Sequence, residues 1–315
     1  MLQGSFKKHA KQAIPAYIIL TIIIIVASVN SRDFASAYNI SNVISQSAPI
    51  AIVAIGQSLV ILIGGIDLSV GSVVSLSTII MARFSPDSAI GLVIGILVCL
   101  IAGSLTGLAN GFGIMRLNIA PMIMTLATMA AVKGVALYLQ SAPGGKVHYG
   151  FMSFLTTKFG FFNTLGIFIV VFYFVIIFVL ARTRFGRNIY ATGGNIESAR
   201  KIGVPVEKTY IMTYMLSGIF ASVGGMFLSA NMYSADPIVG DPYSLDTITA
   251  VILGGTLLTG GVGGVLGTLG GVFLISMIGN MLNMLGVFPY YQYIVKGLIL
   301  VLALFITVFI KRKER

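Results

Sequence analysis

Apolar runs near residues 13–29, 43–63, 66–83, 89–112, 119–141, 161–181, 209–232, 247–259, 265–286 and 290–310 set the rhythm of the chain. A helix that crosses lipid needs about 20 mostly apolar residues, and its backbone must satisfy its own hydrogen bonds where no water reaches. The pattern therefore predicts an all-α integral membrane protein of about ten transmembrane helices, with residues 1–315 forming a single transmembrane domain. The second and third runs are separated only by Gly64 and Gly65, and the eighth and ninth only by Gly260, Gly261, Val262, Gly263 and Gly264. Short, glycine-interrupted segments at two places are a mark of broken helices and internal repeats in transporters.

Composition agrees: the 315 residues are 57% hydrophobic and 9% charged, with a mean hydropathy of +0.99. That excludes an ordinary soluble domain. The formal charge of +11 does not point to nucleic acid, because the basic residues gather at the ends of the apolar runs. With a cytoplasmic N-terminus, Lys7, Lys8, Lys11, Arg116, Arg182, Arg184, Arg187, Arg200, Lys201, Lys208, Lys311, Arg312, Lys313 and Arg315 fall inside, while Arg32, Arg83, Lys146 and Lys158 fall outside. This is the positive-inside distribution, and an even number of spans returns the C-terminus to the cytoplasm. The run at 13–29 is long for a signal-peptide core and is followed by more spans, so it reads as a retained first helix.

The longest inside connection, 182–208, carries a helix of about two turns with its own punctuation. Asn195 can cap it, Glu197 in its first turn and Arg200 with Lys201 at its end complement the helix dipole, and Gly203 and Pro205 stop it. Ile196, Ala199 and Ile202 then share one face. Such a helix suits docking into a partner's groove, or lying on the bilayer surface as an amphipathic linker.

Polar residues within the spans carry the remaining chemistry. Asp67 is the acidic residue nearest the membrane interior, and Leu68-Ser69-Val70-Gly71 after it places it to cap the third helix near the cytoplasmic surface. Lys133 and Lys296 either snorkel outward or face the pore, paired with a solute hydroxyl or with Asp246. Gln46, Gln57, Asn110, Thr125, Thr128, Ser217, Ser222, Asn280 and Asn283 suit a hydrophilic route or interhelical hydrogen bonds. Amides and hydroxyls together suit a neutral polyhydroxylated solute better than an ion. Gly263, Gly267 and Gly271 give two small-xxx-small steps for close helix packing. Cys99 is a small core residue. His9 and His148 lie far apart, no zinc motif, catalytic triad or phosphate-binding loop is present, and the chain predicts no cofactor, metal or catalysis of its own.

Several of these segments resemble one family. Arg182 to Arg187, Tyr190-Ala191-Thr192-Gly193-Gly194-Asn195, Ala199-Arg200, Gly203-Val204 and Val206 are similar to the coupling loop of the ribose, xylose and galactoside ABC permeases. Gly64-Gly65-Ile66-Asp67-Leu68-Ser69-Val70-Gly71-Ser72 is similar to that family's hallmark stretch, with Gly65, Asp67, Ser69 and Gly71 as its structural positions. Asn110-Gly111, Pro121, Thr125-Leu126, Lys133-Gly134, Ser217-Gly218, Gly224-Gly225, Leu245-Asp246, Gly254-Gly255-Thr256, Gly260-Gly261, Asn280, Asn283 and Lys296-Gly297 carry the likeness along nearly the whole chain. Val262 stands where the family often has arginine, Ser244 where it often has glutamate, Glu197-Ser198 where small residues are usual, and the outer loop 142–160 is unlike its relatives.

The resemblance implies a multi-pass permease subunit of the inner membrane that passes a monosaccharide or sugar-like solute and forms a dimeric pore with a second copy or homologue. It implies a separate cytoplasmic ABC ATPase, carrying ATP and magnesium, that grips Gly193, Gly194, Asn195, Glu197, Ala199, Arg200 and Gly203. It also implies an extracytoplasmic solute-binding protein that delivers the ligand. Gln57, Asn110, Thr125, Lys133, Asp246, Asn280, Asn283 and Lys296 are the expected lining of the translocation pathway. The rival is an ion-coupled secondary transporter of a small neutral solute, which would place ionisable groups near the bilayer midplane. An intramembrane enzyme would need a paired-carboxylate, zinc or Ser–Lys site that the chain lacks.

Overall fold

The computed structural model describes residues 12–30, 33–85, 88–159 and 162–313, so the basic cluster Lys7, Lys8 and Lys11, with His9, Arg32, Asp87 and Arg315, lies outside the described residues. Helices α1 (Ile14–Asn30), α2 (Ala37–Leu62), α3 (Val70–Phe84), α4 (Ala89–Arg116) and α5 (Pro121–Leu139) come first. A short helix α6 (Tyr149–Thr156) and a two-stranded antiparallel pair, β1 (Lys158–Phe159) with β2 (Phe162–Asn163), follow. Then come α7 (Thr164–Arg182), α8 (Arg184–Gly194), α9 (Ile196–Lys201), α10 (Val206–Met232), α11 (Asp241–Leu253), α12 (Val265–Met284) and α13 (Pro289–Lys313). Six helices, α2, α4, α5, α7, α10 and α12, are long and apolar enough to cross a membrane, and α1, α3, α11 and α13 contain shorter apolar stretches.

Each apolar run of the sequence thus holds a helix, but not always with its expected ends. The eighth, expected over 247–259, begins at Asp241 with Pro242 in its first turn and stops at Leu253, where Gly255 adopts a left-handed conformation (φ +83°). The second begins earlier than expected, at Ala37, where the Ser36 hydroxyl accepts a hydrogen bond from the Asn39 N–H at 3.2 Å. Helices α6 and α8 and the strand pair correspond to no expected element.

Helix α2 is the centre of the structure: 83% of its apolar window is buried, against 17% for α4 and 11% for α5. The other central helix, α10, packs against α2, α3 and α4. It gets close because Gly103, Gly107 and Gly111, one turn apart on α4, lie against its backbone at Gly218, Tyr214 and Ile211, while Gly56 of α2 meets it at Ser217. Lipid offers no hydrophobic drive for such packing, so small residues that allow backbone contact supply it through dispersion. Gly267 and Gly271 of α12 do the same against Gly254 and Ala250, while Gly263 lies before the helix and packs on Thr256. On the opposite face of α4, Ile90, Val93, Leu97, Ile101, Leu105 and Leu108 are exposed, the stripe of a lipid-facing helix.

Candidate functional site

Asp67 lies in the turn between α2 and α3 and is 1% exposed. Its Oδ1 accepts from the Ser69 N–H at 3.0 Å and from the Ser69 hydroxyl at 2.6 Å, and its Oδ2 accepts from the Ser217 hydroxyl of α10 at 2.8 Å. The relay continues outward from Ser69: Asn110 of α4 donates to Ser69 Oγ at 2.9 Å, and Thr128 of α5 donates to Asn110 Oδ1 at 2.6 Å. Thr125, one turn before Thr128, donates to the Pro121 carbonyl at 3.0 Å. Asp67 therefore does not cap the third helix as expected. Ser69 holds the N-cap position and makes no side-chain cap bond; its hydroxyl donates to Asp67 and its oxygen accepts from Asn110. Gly65 and Gly71 let this turn sit against Tyr214 and Gly240, with no room for a side chain at either position. Asn110 and Thr125 are fully buried in this network.

A second polar group lies toward the ends of α2, α11, α12 and α13 and lines a cavity of about 260 Å³. Lys296 Nζ donates to Asp246 Oδ2 at 2.6 Å, with the side chains 26% and 14% exposed. Gln292 Nε2 donates to Asn283 Oδ1 at 2.6 Å, and Asn39 and Asn280 exchange amide hydrogen bonds at 3.1 and 2.9 Å. Four of the expected pathway residues, Asp246, Asn280, Asn283 and Lys296, thus meet around one cavity. Lys133 does not join them: its ammonium pairs with Asp241 at 2.5 Å. Gln57 shares a helical face of α2 with the cavity residues Gln46 and Ile50, several turns farther along. It is fully buried, and among the described residues neither of its amide atoms has a hydrogen-bond partner.

At the other end of α2, α8 and α9 form the 182–208 connection. Asn195 caps α9 as expected, its Oδ1 accepting from the Ser198 N–H at 2.8 Å, and Gly203 (φ +80°) ends it. Ala199 faces inward at 2% exposure, while Ile196 and Ile202 are 38% and 76% exposed. Glu197, Arg200 and Lys201 are exposed beside a groove of about 540 Å³ between α9, α10 and the end of α4, lined by Met115, Arg200, Glu207, Lys208, Ile211 and Met212.

The inner side of this connection is tied down by backbone contact. Gly193 at the end of α8 packs against the Leu62 carbonyl and 2.6 Å, measured from a would-be Cβ, from the Gly261 N–H. That N–H in turn donates to the Leu62 carbonyl at 2.9 Å. Gly260 and Gly261 are left-handed (φ +82° and +73°), and a Cβ on Gly260 would lie 2.8 Å from the Gly64 nitrogen. Tyr190 donates its hydroxyl to the Gly263 carbonyl at 3.0 Å, and burial pushes its phenol up to about 12, so the donor persists at neutral pH. The two glycine interruptions therefore touch each other, and the helix that leads into α9 touches the second of them and the end of α2.

The model of the family described as the branched-chain amino acid transport system/permease component matches residues 39–304. The galactose/methyl galactoside import permease protein of Escherichia coli is 38% identical over 320 residues, covering 95% of this chain and 94% of its own. The ribose import permease proteins of Bacillus subtilis and Escherichia coli are each 37% identical over 300 residues, covering 93% and 92% of this chain and 91% of their own. The chain belongs to the monosaccharide ABC permease family. It is a multi-pass inner-membrane permease subunit and not an enzyme. No solved structure matches it.

Two of the positions expected to depart from the family's pattern, Ser244 and Val262, make ordinary contacts. Ser244 donates its hydroxyl to the Leu68 carbonyl at 2.7 Å, and Val262 contributes its carbonyl, which accepts from the Leu257 N–H at 3.1 Å. What sequence reasoning missed is the hydrogen bond of Tyr190 to Gly263 and the contact between Gly193, Leu62 and Gly261. The available signal was the pair of Gly-Gly steps at 193–194 and 260–261, which carry no side chain to suggest a partner.

Proposed function

We propose that this permease is the translocation subunit of an ATP-driven importer that accepts a monosaccharide from an extracytoplasmic binding protein. The permeases it resembles are named for ribose and for galactose or methyl galactoside import. In this reading the ten apolar helices span the membrane with both termini cytoplasmic, and a second copy or homologue completes the pore. ATP and magnesium are bound by a separate cytoplasmic ATPase. The cavity bounded by Asp246 and Lys296 opens outward, and the buried face of α2 through Gln57 continues the route. The contact of Gly193 with Leu62 and Gly261 closes it on the cytoplasmic side.

The observation that carries the reading is α9. It is capped, presents Ile196 and Ile202 outward beside a charged groove, and follows directly on a segment packed against the end of α2 and the Gly260–Gly261 turn. A partner that grips α9 and Arg200 moves the end of α8, and with it the ends of α2 and of the 254–264 segment, which switches access between two arrangements.

The test uses the chain reconstituted with its ATPase and binding protein, with labelled ribose and galactose as probes. Ala199→Pro breaks the helix and Arg200→Glu reverses its charge. Both are expected to abolish uptake and to remove stimulation of the ATPase by the binding protein, while insertion into the membrane stays unchanged. Wild-type uptake in both variants would contradict the mechanism.

A further inference from the structure

We infer that the cavity between α2, α11, α12 and α13 is a binding station for one vicinal diol of the solute, held jointly by Asp246 and Lys296. The inference rests on the reading of this chain as a sugar permease and adds to it a place and a chemistry of recognition.

An ammonium carries three N–H donors and no acceptor, and a carboxylate is an acceptor with two oxygens. Lys296 spends one donor on Asp246 Oδ2 at 2.6 Å. Among the described residues its remaining donors and Asp246 Oδ1 have no protein partner, and both side chains line the cavity. The free positions are thus donors on Lys296 and an acceptor on Asp246, flanking the hydrogen bond the two side chains share. Two adjacent sugar hydroxyls present the complement, one donating to the carboxylate while its neighbour accepts from the ammonium. Hydrogen bonds to charged groups are the stronger class, so a single diol gains most from this one contact.

The pair also discriminates by charge. Closed on itself it is neutral, and a neutral polyol leaves it so. An anionic solute would draw Lys296 away and leave Asp246 uncompensated in a poorly solvated position, which is costly. Asn283 and Gln46 offer further amides at the rim, and Tyr293 and Tyr243 offer ring surface to sugar C–H groups. The cavity is smaller than the about 300 Å³ at which pockets for drug-sized ligands begin, which suits one small solute.

The experiment uses the full-length permease in nanodiscs and saturation-transfer NMR, with ribose, galactose, erythritol, butane-1,4-diol and galacturonate as probes. Ribose, galactose and erythritol, which contain vicinal diols, are expected to receive saturation, while butane-1,4-diol and galacturonate are not. Asp246→Asn and Lys296→Gln are each expected to weaken ribose binding about tenfold, the weight of one charged hydrogen bond. Because a single variant leaves a lone charge that could disturb folding, the double variant Asp246→Asn/Lys296→Gln removes both charges and is expected to insert normally and to weaken ribose to the same extent. Equal transfer to erythritol and butane-1,4-diol, or wild-type ribose affinity in the double variant, would overturn the station. ATP-driven import would then still stand, whereas wild-type uptake in both Ala199→Pro and Arg200→Glu would sink the permease mechanism itself.

Discussion

The two ends of α2 are built on opposite plans. Around Gln46 and Ile50 the helix borders a cavity furnished with side chains: an ion pair, two amide pairs and two tyrosines. Around Leu62 it ends in a contact made almost entirely of backbone, where Gly193, Gly260 and Gly261 bring three segments within hydrogen-bond range. A polar solute needs side chains it can exchange for water, and the first end supplies them. A seal needs surfaces that meet without voids and separate as a unit. We propose that the backbone contact at the second end is such a seal, since its groups pair in one close-packed arrangement.

The largest effect should come from filling the sealed end. Gly193→Ala puts a methyl group into the space of the Leu62 carbonyl and Gly261 nitrogen, backbone atoms that cannot swing aside, whereas a Cβ at the adjacent Gly194 meets open space. A cysteine at position 57, in a Cys99→Ala background, is expected to be labelled by a membrane-impermeant maleimide from the cytoplasmic side in Gly193→Ala and to stay protected in Gly194→Ala. Equal protection in both would show that this contact is not the seal.

Between the two ends lies the Asp67 relay, and its removal should act on stability. Asp67→Ala leaves the Ser69 N–H and the Ser217 hydroxyl buried without an acceptor, at a cost of about 1–3 kcal/mol for each orphaned donor. The expected result is a Tm lowered by several degrees in thermal unfolding in nanodiscs. The smallest effect is expected where an ion pair stands in water. Arg116 and Glu207 are paired, but their side chains are 61% and 43% exposed, so Arg116→Ala should cost no more than about 1 kcal/mol and leave uptake unchanged.

The same contrast marks what the sequence made legible. Side-chain chemistry was readable: the apolar runs hold the helices, Asn195 caps α9, and Lys296 pairs with Asp246, one of the partners expected for it. Partners that depend on how helices are arranged were not. Lys133 pairs with Asp241, only five residues before Asp246, and nothing in local pattern selects between the two. Asp67 looks like a helix cap in isolation, and only the approach of α10 and α4 turns it into the centre of a network. The glycine contact was invisible for a simpler reason, since residues without side chains do not advertise which backbone they touch. Helix α11 ends early for a related reason: Leu257 and Leu258 extend the apolar run, but Gly254 and Gly255 have already turned the chain.

The central claim is that this permease moves its solute with energy delivered through α9 by another subunit. The most direct measurement is uptake of labelled ribose and galactose into proteoliposomes containing the chain, its ATPase and its binding protein, with and without ATP and with and without a protonophore. The account predicts uptake that requires ATP and the ATPase and is indifferent to the protonophore. Uptake that proceeds against a gradient without the ATPase and collapses on adding the protonophore would contradict it.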